Sequence, residues 1–235
     1  MQSLVEVKDL RVGYGGREVV HGVSFDVKPG EVFGVVGESG SGKSTLARTL
    51  AGLEKPSGGE FAVHARSVQM IFQDAVGSLN PRMRIRTALE EALYFGGPPS
   101  ADALFPDTGS LLEAVGLSEA VLEQYPRELS GGQCQRASIA RALARQPQLL
   151  IADEPVSALD VSVQARILNL LRELGSRFSL SILLVAHDLA VVRNICDRVA
   201  VMEKGVFVEC GGADEVFSNP KSDYTRRLLA AVPRI

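Results

Sequence analysis

Cysteine is scarce in this sequence: three residues in 235, Cys134, Cys196 and Cys210, separated by 62 and 14 positions. An odd number without C-x-x-C spacing argues against a disulfide framework, a zinc site or a redox pair, and reduced thiols suit a cytoplasmic protein. Long apolar runs are missing too. Stretches such as Ile182 to Ala186 fall far short of the roughly 18 residues that span a bilayer, so any membrane role has to come through a partner. Met1 to Gly13 lacks the basic start, apolar core and small-residue cleavage site of a leader, and export is not expected. Nor is there an excess of positive charge: 25 Lys+Arg against 28 Asp+Glu leave −3. A sequence-independent grip on nucleic-acid phosphates needs clustered cations, so no nucleic-acid partner is expected. Internal repeats and low-complexity tracts are also lacking.

What is there reads as a folded chain. The 46% hydrophobic and 23% charged content is that of a globular protein, and the length suits one large domain with a smaller lobe. Leu4 to Val12 and Val19 to Val27 read as strands of a hairpin-like β lobe, with Val19, His21, Val23, Phe25 and Val27 alternating on one face before the Pro29-Gly30 turn. Val32 to Val36 is a short apolar strand entering a glycine-rich loop, followed by a helix over Lys43 to Leu53. Phe61 to Val63 and Val68 to Phe72 read as strands. A helix follows from Ile85 to Tyr94, and helices continue from Ser110 to Glu123 beyond a break at Gly96 to Pro99, with Gly96 to Gly109 the expected flexible segment. Gln133 to Arg145 is helical up to Pro147. Leu149 to Ala152, a helix over Val161 to Leu174, a strand over Ser181 to Val185, a helix over Leu189 to Ile195 and a hairpin over Val199 to Glu209 complete an alternation that calls for a parallel-rich sheet with helices on both faces.

Gly37-Glu38-Ser39-Gly40-Ser41-Gly42-Lys43-Ser44 fits G-x-x-x-x-G-K-[ST] between a strand and a helix, the context this pattern requires. Glycines let the backbone wrap an anion so that N–H groups and the next helix N-terminus face phosphates. Lys43 would reach the β/γ-phosphates, Ser44 would hold Mg²⁺ and Thr45 would donate near the α-phosphate. ATP or GTP binding follows. Leu149 to Ala152, ending in Asp153-Glu154, offers the other half of such a site: Asp153 delivered rigidly toward the metal, Glu154 placed to orient the attacking water or take its proton. On its own, Asp153-Glu154 is equally a solvated acidic turn.

Leu129-Ser130-Gly131-Gly132-Gln133 opens another helix, and a phosphate-loop domain needs no second glycine-bearing helix start for its own nucleotide. The chain resembles the ATP-binding cassette family over essentially its whole length, with the phosphate loop at Gly37 to Thr45, Gln73, the Leu129 to Gln133 signature, Asp153-Glu154, the loop Ser157-Ala158-Leu159-Asp160 and His187 in the family's order. Taken alone, His187 reads as a structural histidine and Gln73 as a polar strand end; their placement in the pattern reverses both readings. The resemblance implies an α/β fold, a P-loop NTPase ABC-ATPase with a RecA-like mixed sheet core, an antiparallel β lobe and a helical lobe. These parts divide one domain as β lobe and phosphate-loop core (1–84), helical lobe (85–146), and remaining core with tail (147–235). The resemblance further implies a head-to-tail dimer sandwiching ATP. In it, Ser130, Gly131, Gly132 and Gln133 of one protomer face the other's γ-phosphate, Gln73 touches Mg²⁺ and the attacking water, His187 bonds the γ-phosphate, and Asp160 contacts the opposite protomer. Tyr14 resembles the aromatic residue that stacks on adenine, and is otherwise a half-buried strand tyrosine.

Gln73-Asp74 followed by Ser78-Leu79-Asn80-Pro81-Arg82-Met83, and the tail from Asn219 to Pro233, resemble the oligopeptide, dipeptide and nickel importer subfamily. Ser222-Asp223 departs from the His-Pro frequent there, and the cysteine-bearing extension of some members is not expected. This resemblance implies a subunit at the cytoplasmic face of the cell membrane, with transmembrane permease subunits, a second ABC ATPase (the same chain or a paralogue) and, indirectly, an extracytoplasmic substrate-binding protein. Gln73 to Arg86 would receive coupling helices, or is ordinary lobe core. An accessory ATPase of the phosphonate-breakdown type is the alternative; a P-loop kinase would leave the signature and His187 unexplained. Cys134, at the start of a helix and near Arg136, is expected either as a thiolate that nucleotide shields from maleimide or as an inert packed thiol.

Overall fold

A computed structural model describes residues 2–100 and 102–231; Val232 and Pro233 of the tail lie outside the described residues. In chain order the elements are β1 (Val5–Tyr14), β2 (Arg17–Val27), β3 (Val32–Val36), α1 (Lys43–Leu50), β4 (Gly58–Val63), β5 (Val68–Ile71), α2 (Ala75–Ser78), α3 (Ile85–Tyr94), α4 (Thr108–Val115) and, after two short 3₁₀ turns, α5 (Gly131–Leu143). Then follow β6 (Leu149–Asp153), α6 (Val161–Phe178), β7 (Ser181–Ala186), α7 (Leu189–Arg193), β8 (Arg198–Glu203), β9 (Val206–Gly212), α8 (Ala213–Ser218) and α9 (Asp223–Ala230).

Two sheets result. The smaller is antiparallel in the order β2-β1-β4; the larger runs β5-β6-β7-β3-β8-β9. The strands from β5 to β8 are parallel and β9 returns antiparallel, through the Lys204-Gly205 turn. This is the expected α/β arrangement of antiparallel lobe, mixed sheet and helices. The buried parallel strands are apolar on both faces, as strands covered on both sides must be. Phe33, Val35, Leu149, Ile151, Leu183 and Val185 pack toward β1, β2 and α1. Val36, Leu150, Ala152, Ile182 and Leu184 pack on the opposite face, in one core with α3 to α6. Gly34 is required by close approach, because a Cβ there would lie 2.8 Å from Val199 Cγ2 and 2.9 Å from Cys196 Sγ.

Several expectations are corrected in detail. The alternation of β2 holds for Val23, Phe25 and Val27, but Val20 is buried and His21 exposed. Leu10 pairs with Val23 and Arg11 with His21, leaving Gly22, at φ 77°, as the extra residue that flips the face. Helix α1 stops at Leu50 rather than Leu53, with Gly52 at φ 75° turning the chain away. α4 ends at Gly116, whose φ of 65° supplies the left-handed cap, so the run to Glu123 is a helix followed by a 3₁₀ turn. α6 is longer than expected, reaching Phe178 before Ser179 closes it in the left-handed region. Cys134 is fully buried, its Sγ donates to the Pro126 carbonyl at 3.3 Å, and burial pushes its thiol pKa up, which favours the packed thiol over the activated thiolate.

Candidate nucleotide-binding site

Four neighbouring parallel strands end level. Val36 pairs with Ala186, Asp153 with Val185 and Ile71 with Ala152. The residues one or two positions beyond these ends are therefore brought together although they are far apart in sequence: Gly37 after β3, Gln73 after β5, Glu154 after β6 and His187 after β7. The carboxyl ends of such a sheet are where ligands bind.

The phosphate loop wraps this rim. Gly37 sits against β8, where a Cβ would lie 2.1 Å from the Met202 carbonyl oxygen, and Gly42 caps α1 at φ 105°. Ser41 is buried and its carbonyl accepts the Gly205 N–H at 2.9 Å. Lys43 is buried as well; its Nζ donates to the carbonyls of Gly37 and Glu38, both at 2.8 Å. Burial lowers the Lys43 pKa, and the charges of Glu154 and Asp153 oppose that shift. A cleft of about 200 Å³ is lined by Ser39, Gly40, Gly42, Lys43, Ser44 and Thr45 on the loop side, and by Val19, Gln73 and Glu154 opposite. Unsatisfied first-turn N–H groups and an ammonium facing one small cleft suit a phosphate chain.

Ser44 Oγ donates to Asp153 Oδ1 at 2.8 Å. Burial raises the Asp153 pKa, with the Ser44 bond and the Arg48 charge acting against it. A hydroxyl beside a buried carboxylate at a phosphate cradle is an oxygen donor set of the kind Mg²⁺ takes alongside phosphate oxygens. Glu154 lies next to it with its backbone at φ 46°, a region that costs a non-glycine residue energy, and its N–H bonded to the Val185 carbonyl at 3.0 Å. That turn aims the carboxylate back over the cleft. Glu154 Oε2 accepts from Gln73 Nε2 at 3.2 Å and lies 3.4 Å from His187 Nδ1. The Glu154 side chain is 13% exposed and that of His187 53%. A carboxylate held between an amide and an imidazole, beside a phosphate cradle, can orient a water and accept its proton.

The other expected residues lie elsewhere. Ser130 caps α5: its Oγ accepts the Gln133 N–H at 3.3 Å while the Gln133 side chain accepts the Ser130 N–H at 2.9 Å. This leaves the Ser130 hydroxyl hydrogen and the Gly131 and Gly132 N–H groups for an outside anion. Both glycines also permit close packing, since Cβ atoms there would come within 3.1 Å of Leu159 and 2.8 Å of Val163. Asp160 caps α6, accepting from the Val163 N–H at 3.0 Å and the Ser162 hydroxyl at 2.8 Å. None of these lines the phosphate cleft; Gly131 instead borders a separate cavity of about 430 Å³ with Gln73, Asp74 and Ala158. Tyr14 ends β1, is 44% exposed and is not part of the cleft wall. Val19, which does line the cleft, carries no sequence signal, because a valine in a strand reads as core.

A P-loop α/β fold whose second, separate glycine-bearing helix start lies outside the phosphate cleft is that of an ATP-binding cassette ATPase. The family model described as ABC transporter matches residues 20–157, and the chain belongs to that family. The oligopeptide transport ATP-binding protein OppF of Streptococcus pyogenes serotype M1 is 44% identical over 253 residues, covering 99% of this chain and 82% of its own. OppF of Escherichia coli K12 is likewise 44% identical, over 98% of this chain and 78% of its own. Among solved structures, a dimeric ATP-binding cassette in a post-hydrolysis state with ADP and Pi has a TM-score of 0.76 at 27% identity, covering 89% of this chain and 98% of its own. The cbiO1 protein of Clostridium perfringens, part of the transporter complex cbiONQ, gives 0.81 at 27% identity over 100% and 97%. The chain is thus an ABC ATPase, and among the described residues no helix is long and apolar enough to cross a membrane.

Proposed function

We propose that this ATPase powers an importer for peptides (dipeptides or oligopeptides) or nickel from the cytoplasmic face of the membrane. In this reading it closes with a second cassette on ATP and passes that closure to permease subunits supplied by an extracytoplasmic substrate-binding protein. The convergence of Gln73 and His187 on Glu154, level with Lys43 and the Ser44–Asp153 pair, carries the chemical part of the reading. The oligopeptide-transport names of relatives 44% identical over nearly the whole chain support the transport part. We assign residues 1–84, 85–146 and 147–235 as the three parts of the single domain, with the helical lobe as the part that moves.

Within this proposal each residue has a stated role. The loop N–H groups of Gly37 to Thr45 cradle the phosphates, and Lys43 neutralises the β/γ oxygens. Ser44, Asp153 and Gln73 would hold Mg²⁺, which would supply charge screening for the phosphates. Glu154 orients a water and takes its proton as the water oxygen bonds to the γ-phosphorus. The bond to the β–γ bridging oxygen breaks, leaving ADP and inorganic phosphate. His187 contacts the γ-phosphate and Tyr14 the adenine. Ser130, Gly131, Gly132 and Gln133 complete the site across the dimer, with Asp160 at the same interface.

Glu154→Gln tests both parts. Hydrolysis is expected to fall at least about 100-fold with ATP binding retained; near-normal turnover would remove Glu154 from its role. The same variant, tagged, expressed in its native cell, trapped with ATP and gently solubilised, is expected to bring down polytopic membrane subunits. Recovery of soluble partners alone would assign the ATPase to an accessory role.

A further inference from the structure

The phosphate loop is gripped from outside as well as from within. The peptide group between Gly37 and Glu38 is bonded at both ends: its carbonyl accepts from Lys43 Nζ at 2.8 Å, and its N–H donates to the Tyr224 hydroxyl at 3.1 Å. Tyr224 lies 186 positions along the chain, in the first turn of α9, and is buried. Its place is well supported. Ser222 caps α9, and the Glu209 carboxylate of β9 accepts the N–H groups of Lys221 at 2.9 Å and Ser222 at 3.0 Å. The Arg227 guanidinium lies 5.9 Å from the centre of the Tyr224 ring.

We infer that Tyr224 is a positioning residue for nucleotide binding, its hydroxyl fixing the plane of the Gly37–Glu38 peptide and thereby the place of the Lys43 ammonium. This rests on the ATPase reading of the site. Lys43 is tethered to the very carbonyl whose peptide plane Tyr224 holds. Without that acceptor the glycine-bearing peptide is free to rotate, and the ordering of the loop has to occur during binding, which weakens affinity. Burial also raises the Tyr224 pKa, keeping the phenol neutral at physiological pH. The water-activating group, Glu154, is on another strand, so the effect falls on binding rather than on chemistry.

The test is Tyr224→Phe, which keeps the ring and removes the oxygen, assayed in the full chain for ATP hydrolysis, for affinity toward a fluorescent ADP analogue and for thermal unfolding. KM for ATP and the dissociation constant for the analogue should both rise roughly five- to tenfold, the size expected of one lost hydrogen bond. kcat should stay within about twofold and the melting temperature within about 4 °C, the range that loss of one hydrogen bond covers in a chain of this length. Unchanged KM and affinity, or a drop in kcat at constant KM, would overturn the inference. Should the phenylalanine variant not fold, Glu209→Ala, which removes the anchor at the start of α9, replaces it: KM is expected to rise there too, and an unmoved KM is the overturning result. A wild-type chain that binds no ATP would overturn the ATPase reading as well; one that hydrolyses ATP with Tyr224→Phe indistinguishable from it overturns this inference alone.

Discussion

At the scale of single residues, the site keeps three charges in tension within one rim. Asp153 is almost wholly buried, and burial raises its pKa further than the Ser44 bond and the Arg48 charge lower it, so the ionised carboxylate carries a net cost in the folded apo-protein at neutral pH. Between its ordinary value of 3.8 and its folded value, the native state holds the proton more tightly than the unfolded state, so stability falls as pH rises through that window. Asp153→Asn is therefore expected to raise the melting temperature of the nucleotide-free protein by a few degrees at pH 7. Denaturant titrations should show that gain shrinking as pH falls through the raised pKa and vanishing below the ordinary carboxylate range. The same variant should lose Mg²⁺-dependent hydrolysis. A lower melting temperature at pH 7 would show that the carboxylate is stabilising and that the Ser44 bond outweighs burial.

The elements explain how side chains so far apart in sequence reach one place. Level strand ends in β3, β5, β6 and β7 align Gly37, Gln73, Glu154 and His187 without any of them touching in sequence. Helix starts do the complementary work: α1 opens on the phosphate loop and α5 on the signature. The capping box of Ser130 and Gln133 gives the signature a structural duty in the isolated chain. Ser130→Ala should cost about 1 kcal/mol of stability from the lost cap, measured by urea unfolding of the nucleotide-free protein. It should separately lower ATP-driven association, because the hydroxyl hydrogen left free by the cap would be missing from the partner's phosphate. An undiminished association would confine Ser130 to capping.

For the whole molecule, the decisive feature is separation. Within one chain the Ser130 to Gln133 segment and the phosphate loop do not line the same cleft, which is why the proposal completes the site with a second cassette. Hydrolysis by the isolated chain should accordingly rise more steeply than linearly with protein concentration, and trapped Glu154→Gln should double its mass with ATP in light scattering. A specific activity independent of concentration at high dilution would mean that one chain suffices. The tail acts at this scale too, since α9 reaches back across the sheet to the loop that begins the site.

The sequence by itself determined most of the strands and helices as far as β9, though not α2, α8 or α9, and where the phosphate-loop motif lies. Apolar period, glycine placement and a fixed motif act over a few residues, and that range suffices to specify the strand, loop and helix around Gly37 to Thr45 and the apolar run ending at Asp153. It stopped where partners are remote. The face reversal in β2 depends on pairing across to Leu10 and Arg11, and the inertness of Cys134 depends on burial beneath Pro126. Only the tertiary structure decided that Gln73 and His187 both meet Glu154, that Val19 walls the cleft, and that a tyrosine in the last described helix holds the first peptide of the phosphate loop. Those contacts are set by sheet order and strand register, and neither is encoded in any stretch short enough to read locally.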